Sequence, residues 1–176
     1  MNPVTTMDYT AHYHSPLGGI TMASDGEALT GLWFDGQKYF AATLDKEHQT
    51  QEDLPVFWQT RRWLDIYFSG KVPDFTPPLA MRASPFRRRV WELLLSIPYG
   101  HTVTYGEIAR AIARERGVKT ISSQAVGGAV GHNPISLIIP CHRVIGAQGH
   151  PTGYAGGIEK KTRLLQMEQA GLNFEL

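Results

Sequence analysis

The sequence predicts an α/β N-terminal region followed by a mainly α-helical C-terminal region. Residues 8–44 alternate apolar and polar positions in short runs separated by turn residues, which is typical of β-hairpins. Residues 71–85 contain four of the eleven prolines, and apolar residues at helical spacing follow them. We therefore expect two domains, residues 1–82 with a proline-rich linker at the end and residues 83–176.

The N-terminal region is predicted to form a small antiparallel sheet and one helix. Turn residues at positions 17–19 and 25–26 indicate the hairpins of the sheet. Residues 55–69 carry apolar side chains at helical spacing, so we expect a helix that stops at residues 69–70. The apolar residues at this spacing are Phe57, Trp58, Leu64, Tyr67 and Phe68.

The C-terminal region is predicted to contain helices over residues 86–97, 105–116 and 124–131. Thr104, with Glu107 three residues later, forms the sequence pattern of a capping box before the second helix. The second and third helices are joined by a short glycine-containing turn, which suggests a helix-turn-helix.

The third of these helices has almost no side chains. Five of its eight residues are glycine or alanine in the sequence QAVGGAVG. Each glycine costs a helix interior about 1 kcal/mol, so some feature of the protein must require close approach there. Two explanations remain open, tight packing against another helix and close approach to a nucleic-acid groove.

Composition limits the class of protein. The 176 residues carry a formal net charge of +1, which neither indicates nor excludes nucleic acid, so any basic face must be local. The single cysteine excludes an intramolecular disulfide and suits a reducing compartment. The chain has no run of about 18 apolar residues, and its first residues lack the features of a secretory signal. We expect a cytoplasmic protein with no membrane contact.

The chemistry of the chain centres on Cys141, which follows an apolar segment predicted to be a strand over residues 136–139. A free cysteine is commonly buried and inert. His142 and Arg143, however, are poor core residues, and an imidazole or a cation beside a thiol lowers its pKa. These residues favour a reactive cysteine, but by themselves they equally suit a thiol hydrolase with a base and an acid elsewhere.

Three segments of the chain resemble a known family. NPISLIIPCHRV, GYAGG and a final LLQMEQ are similar to the O6-alkylguanine-DNA alkyltransferases, and the resemblance covers roughly residues 84–172. It implies a ribonuclease-H-like N-terminal domain and a C-terminal domain with a winged helix-turn-helix. It also implies that the recognition helix enters the minor groove of double-stranded DNA and that the alkylated guanine is flipped out of the stack.

The resemblance assigns catalytic roles to five residues. Cys141 matches the alkyl acceptor, and His142 matches the base that takes the thiol proton through a water. Glu168 matches the acid that orients the histidine, so that the set resembles a hydrolase triad. Asn133 matches the residue that braces the turn before the active-site strand. Tyr105 matches the tyrosine that assists phosphate rotation and donates a proton toward guanine N3.

The resemblance also implies a set of DNA- and base-contacting residues. Tyr154 matches the ring that walls the guanine pocket, and Ala155 stands where some members have a serine. Gln124 stands where the family usually has an arginine that fills the gap left by the flipped base. The whole set comprises Gln124, Ala125, Gly127, Gly128, Arg143, Val144, Tyr154 and Ala155. Some members of the family bind a structural zinc ion in the N-terminal domain. The ligands for that ion are absent here, because the only cysteine is Cys141, so we expect no metal.

The implied activity is direct-reversal repair, in which each molecule accepts one alkyl group from O6-alkylguanine and keeps it. O4-alkylthymine is a further candidate substrate. We expect no cofactor, no obligate protein partner and a monomer. The alternatives are a non-catalytic alkylated-DNA-binding relative, which the presence of Cys141 disfavours, and a cysteine hydrolase, for which no oxyanion-hole loop is evident. A winged-helix regulator is a third, disfavoured because the chain has no effector module.

Overall fold

A computed structural model describes residues 7–147, 149, 152–169, 172–173 and 176. The chain divides into two compact units, of which the first ends at Arg82 and the second begins at Ala83. Among the helices in these ranges, none combines the length and the apolar character that a membrane crossing requires.

The first unit contains the predicted sheet. Its strands are β1 (Asp8–Ser15), β2 (Gly18–Ser24), β3 (Leu29–Phe34) and β4 (His48–Thr50), in the order β3-β2-β1-β4. The two hairpins β1–β2 and β2–β3 are antiparallel, which confirms the hairpin prediction, although the first turn lies at residues 16–17 rather than at 17–19. The prediction missed β4, which runs parallel to β1, because all three of its residues are exposed and show no alternation.

One helix, α1 (Pro55–Phe68), packs against β1, β2 and β3, and Ser69 caps its C-terminal end, as predicted. Phe57, Leu64 and Tyr67 are fully buried on its inner face. The expectation that Trp58 joins that face is wrong, because this side chain is 59% exposed. Trp58 instead lies at the surface beneath the Arg61 guanidinium, 5.3 Å from the ring centroid.

The proline-rich stretch is fastened to the first unit. The backbone of Leu29 donates to Pro78 at 2.7 Å and accepts from Ala80 at 2.9 Å. At the end of the stretch, the two terminal nitrogens of Arg82 donate to the buried Asp8 carboxylate at 2.8 and 2.7 Å. These contacts hold the last residues before the second unit against the sheet.

The described residues of the second unit form four α-helices and a small parallel sheet. The helices are α2 (Pro85–Leu95), α3 (Tyr105–Arg116), α4 (Ser123–Gly131) and α5 (Ile158–Met167). The sheet has the order β6-β5-β7 and consists of β5 (His101–Thr104), β6 (Val144–Ile145) and β7 (Leu172–Asn173). The three helices predicted over residues 86–131 are confirmed, but strands this short left no periodicity from which to predict the sheet.

The helix-turn-helix is formed by α3 and α4. Thr104 Oγ1 accepts the Glu107 N–H, and the Glu107 carboxylate accepts the Thr104 N–H, which confirms the predicted capping box. Gly117 ends α3 with φ +64°, a left-handed conformation that glycine adopts without strain. The indole N–H of Trp91 donates to the Ala129 carbonyl at 2.8 Å and thereby joins α2 to α4.

The segment 136–139 is buried, but the expectation that it forms a strand is wrong. It is a turn in which Leu137 has φ +70°. The Asn133 side chain donates to the carbonyls of Ile139 at 2.8 Å and Ile135 at 3.3 Å, and it accepts the Ile135 N–H at 3.0 Å. The Asn133 amide thus satisfies backbone groups that a neighbouring strand would otherwise have to pair.

Candidate active site

The turn braced by Asn133 leads directly to Cys141. This residue begins a short 3-10 helix, Cys141–Arg143, after Pro140, and its N–H donates to the Ile139 carbonyl at 2.8 Å. Cys141 is 5% exposed. The Asn133 amide donates to the same Ile139 carbonyl, so it also holds the backbone of Cys141 in place.

The next two side chains along the 3-10 helix meet Glu168, which follows the last residue of α5. His142 Nε2 lies 2.6 Å from Glu168 Oε2, and Arg143 Nε donates to Oε1 at 2.8 Å. Arg143 also donates to the Ile97 carbonyl at 2.7 Å. Because an ionised carboxylate only accepts hydrogen bonds, His142 Nε2 carries the proton in this contact. The imidazole and the carboxylate therefore form a buried, oriented pair.

The charges of this pair are set by its surroundings. Burial works against ionisation of Glu168, but hydrogen bonds and charges from His142 and Arg143 outweigh it and hold the carboxyl pKa well below its usual value. Burial lowers the pKa of His142, even though Glu168 acts in the opposite direction. At neutral pH the site therefore combines a carboxylate with a neutral imidazole, which is the state that can take up a proton.

The thiol itself is not the resting thiolate that the neighbouring His142 and Arg143 suggested. Burial raises the pKa of Cys141 above its usual value. A hydrogen bond with the Asn133 side chain, the charge of Lys161 and nearby backbone N–H groups lower the pKa, but by less. The proton on the sulfur must accordingly leave during a reaction rather than before it.

Two tyrosines lie close enough to the thiol for its charge to affect them. Burial raises the pKa of Tyr105, and its hydroxyl donates to the Thr152 carbonyl at 3.2 Å. Burial also raises the pKa of Tyr154 well above its usual value, with further contributions from Cys141 and Glu168. Both phenols therefore remain protonated at neutral pH. Ala155, next to Tyr154, is partly exposed in the same loop.

Two residues predicted to contact DNA have buried side chains, and their contact with DNA stays a prediction. Arg143 is 8% exposed and its guanidinium is bound to Glu168, so it is not an exposed cation. The Val144 side chain is fully buried, and the Val144 backbone in β6 pairs with that of Val103 in β5. The premise that His142 and Arg143 are poor core residues also fails, because the Glu168 carboxylate supplies the hydrogen bonds that make their burial tolerable.

The glycines of α4 do not serve packing within the described part of the chain. A Cβ built on Gly127 or on Gly128 meets no atom of the described residues within 4 Å. Gln124 and Ala125, in the first turn of α4, are exposed. Of the two explanations for this helix, tight internal packing is therefore disfavoured at these two positions.

The sequence reasoning missed Lys161, whose side chain is fully buried in α5. Its ammonium donates to the carbonyls of Thr152 at 2.7 Å and Gly153 at 3.2 Å. Lysine is almost never fully buried, so the residue type alone did not predict that Lys161 lies in the interior. A signal was present in the spacing, since Lys161, Leu164 and Glu168 share one helical face. Among the described residues, no group of three or more His, Cys, Asp or Glu side chains could hold a metal ion.

Comparison with known families accounts for both units. Residues 9–81 match the family described as 6-O-methylguanine DNA methyltransferase, ribonuclease-like domain. Residues 85–170 match the one described as 6-O-methylguanine DNA methyltransferase, DNA binding domain. The first unit is thus of the ribonuclease-like class and the second of the DNA-binding class, which confirms the predicted fold class.

Individual relatives agree with these matches. A methylated-DNA–protein-cysteine methyltransferase of Haemophilus influenzae is 42% identical over 167 residues, covering 94% of this chain and 88% of that protein. The protein of the same name from Mycobacterium bovis is 43% identical over 162 residues, covering 90% and 93%. The crystal structure of Mycobacterium tuberculosis OGT in complex with DNA superposes with a TM-score of 0.76 at 41% identity, covering 93% and 92%. This chain belongs to the 6-O-methylguanine DNA methyltransferase family.

Proposed function

We propose that the protein repairs DNA by direct reversal, transferring the alkyl group of O6-alkylguanine irreversibly to Cys141. O4-alkylthymine presents a similar alkyl carbon on oxygen and is a second candidate substrate. The observation that carries the proposal is the buried 2.6 Å contact between His142 and Glu168, directly beside the chain's single cysteine. This arrangement can remove a proton from a neutral thiol at neutral pH.

The reaction begins with proton transfer. The Cys141 thiol gives its proton, through a bridging water, to His142 Nδ1, because Nε2 already holds the proton that it donates to Glu168. The carboxylate then stabilises the imidazolium, as the acid does in a catalytic triad. The sulfur attacks the alkyl carbon, so a carbon–sulfur bond forms as the carbon–oxygen bond breaks.

The leaving group requires its own stabilisation. The electron pair of the broken bond remains on guanine, and a nearby donor must quench that developing charge. The protonated hydroxyl of Tyr105 fills this role toward guanine N3, and the ring of Tyr154 walls the base. Tyr105 then regains a proton and the His142 imidazolium releases one to solvent. The proton that the thiol loses is thereby balanced by the one that guanine gains, and the DNA is left with unmodified guanine. The thioether is stable, and each molecule acts once.

The bare face of α4 supports contact with the minor groove of double-stranded DNA. Gly127 and Gly128 have open space where a side chain would stand, which lets the helix backbone approach the groove floor. A thiol that is 5% exposed reaches an alkyl group only if the target nucleotide is extruded from the stack. Gln124 is exposed at the start of α4, and we assign to it the filling of the gap that extrusion leaves.

Local positive charge compensates for the small net charge of the chain. A pocket of about 140 Å³ lies beside the turn between α3 and α4, and Arg110 and Lys119 are exposed cations in its lining. Such cations neutralise phosphates and steer association with DNA. Arg110 and Lys119 thus give this surface a local positive charge, although the formal net charge of the chain is only +1.

Changing Gln124 to arginine is expected to tighten binding to duplex DNA. The added guanidinium contributes charge to the groove contact, so the salt dependence of the binding constant should steepen by about one unit on a log–log plot. Dissociation constants measured by fluorescence anisotropy at several salt concentrations test this. The matched control is Gln166→Arg, which adds the same charge at an exposed position of α5. Equal affinities for the two variants would contradict the role given to Gln124.

Each chain carries the complete set of Cys141, His142 and Glu168, so we infer that it acts as a monomer. The displacement needs neither a cofactor nor an obligate protein partner. A free thiol must stay reduced to react, which places the protein in a reducing compartment such as the cytoplasm.

The decisive test is to incubate the protein with a DNA duplex carrying one O6-methylguanine and to measure the intact mass. The protein should gain one methyl group, and a duplex with unmodified guanine should produce no change. Cys141→Ser should bind the damaged duplex without a mass gain. Binding without any mass gain in the wild-type protein would identify a non-catalytic alkylated-DNA-binding protein. Loss of methyl from DNA without a mass gain would instead indicate a hydrolase.

A further inference from the structure

The turn over residues 97–100, between α2 and β5, lies directly against the ion pair that holds Glu168. The Ile97 carbonyl accepts a hydrogen bond from Arg143 Nη1 at 2.7 Å. The Gly100 N–H donates to Glu168 Oε1 at 3.4 Å, and the same oxygen accepts from Arg143 Nε. This short turn therefore contacts both the cation and the carboxylate of the buried pair.

The Tyr99 side chain forms the outer layer of this contact. Its ring lies over the Arg143 guanidinium, 5.7 Å from Cζ to the ring centroid, where the face of the ring attracts the cation. Its hydroxyl donates to the carbonyl of Met167, the residue before Glu168, at 3.4 Å. Tyr99 is half-buried, whereas Arg143 is 8% and Glu168 3% exposed. The ring thus stands between solvent and the ion pair.

The backbone of the turn keeps the ring in this place. Gly100 has φ +82°, a left-handed conformation that glycine adopts without strain, and a Cβ there would lie 3.4 Å from the Glu168 carbonyl oxygen. Burial and the charge of Glu168 raise the pKa of Tyr99, while Arg143 acts in the opposite direction. The phenol therefore stays protonated at neutral pH, and its hydroxyl remains a hydrogen-bond donor.

We propose that Tyr99 is a positioning residue for alkyl transfer, which covers the Arg143–Glu168 pair and excludes water from the carboxylate that orients His142. The proposal rests on the function assigned above. A carboxylate shielded from water interacts more strongly with the imidazole and keeps one orientation. In this scheme Tyr99 acts only through Arg143 and Glu168.

The effect on His142 has a defined sign. Burial is the largest influence on this imidazole and lowers its pKa; Arg143 on the same 3-10 helix and Lys161 on α5 act in the same direction, and Glu168 acts in the opposite one. The adjacent Cys141 thiol is neutral at this pH. Removing the covering ring admits water, so the pKa of His142 should rise. A larger fraction of the imidazole is then protonated in weakly acidic solution, and a protonated imidazole cannot take the thiol proton.

The test compares single-turnover transfer from an O6-methylguanine duplex, at saturating protein, in wild type and Tyr99→Ala. The variant should be about fivefold slower at pH 6, and the two rates should converge at pH 8, where both imidazoles are neutral. Tyr99→Phe keeps the ring and should follow wild type at both pH values. The matched control is Trp58→Ala, which removes a ring stacked in the same way on Arg61 of the first unit and should also follow wild type.

A second arm needs no DNA. The Nε2–H proton that His142 donates to Glu168 gives a downfield proton NMR signal only if its exchange with water is slow. The signal should be present in wild type and Tyr99→Phe and absent from Tyr99→Ala. A signal that persists in Tyr99→Ala, or a ratio of transfer rates that is the same at pH 6 and pH 8, would overturn the proposal.

The two arms separate this proposal from the assigned function. If the NMR signal depends on the Tyr99 ring as expected but wild type transfers no methyl group, the assigned function fails while the covering role of Tyr99 holds. Thermal melting establishes that each variant is folded. Should Tyr99→Ala be unfolded, Tyr99→Leu takes its place in both measurements, because leucine keeps apolar bulk for folding without the flat face of the ring.

Discussion

Replacing Glu168 with glutamine is expected to slow alkyl transfer about a hundredfold, because the imidazole loses the carboxylate that orients it and stabilises its protonated form. Glutamine can still accept one hydrogen bond, but it carries no charge. Its amide nitrogen would also face the Nε2–H of His142 or the guanidinium of Arg143. Single-turnover rates with an O6-methylguanine duplex at saturating protein measure this effect directly.

The same substitution should destabilise the second unit by about 3 kcal/mol, because it leaves the buried Arg143 guanidinium without its counter-charge. Urea unfolding of wild type and Glu168→Gln measures this loss. The matched control is Glu159→Gln, which removes a carboxylate from the exposed first turn of α5 and should change neither the transfer rate nor the free energy of unfolding. A Glu168→Gln protein that transfers alkyl groups at the wild-type rate would exclude the proton relay.

Replacing Asn133 with alanine is expected to lower the free energy of unfolding by about 4 kcal/mol. The amide makes three hydrogen bonds to the backbone of Ile135 and Ile139, and all of these groups are buried. Each buried polar group left unsatisfied costs about 1–3 kcal/mol. Because the thiol also loses the hydrogen bond that lowers its pKa, alkylation of Cys141 by iodoacetamide at pH 7 should slow as well.

Chemical denaturation and the iodoacetamide rate are both measured on the free protein, so they do not depend on DNA binding. Gln166→Ala removes an exposed amide from α5 and serves as the control for loss of a similar side chain. An Asn133→Ala protein with wild-type stability would show that the turn over residues 136–139 holds its shape without the amide.

The elements that sequence predicted well are those governed by nearby residues. The capping box at Thr104 and Glu107 involves positions three residues apart, and the hairpins of the first sheet depend on local turn residues. The face of α1 was predicted incompletely, because helical spacing did not show that Trp58 stacks with Arg61 at the surface. The segment 136–139 resembled a strand because it is apolar, but the Asn133 side chain decides its backbone conformation.

In the candidate site, too, local features were predicted well and long-range contacts were not. The sequence singled out Cys141 and His142, and the family resemblance added Glu168. The structure brings His142 and Glu168 into contact across 26 positions of the chain. The sequence could not predict whether the pKa of the Cys141 thiol is raised or lowered, because burial outweighs the neighbouring groups that act to lower it. The sequence also did not show that the Arg143 guanidinium is buried against Glu168. Long-range burial and charge compensation therefore account for the errors.

The central claim is that Cys141 accepts one alkyl group and keeps it. It is tested most directly by incubating the protein with a large excess of O6-methylguanine duplex, followed by trypsin digestion and mass spectrometry. The expected result is at most one methyl group per protein, located on the peptide that spans residues 120–143, however long the incubation. Methylation elsewhere, or continued demethylation of the DNA after one equivalent, would contradict the claim.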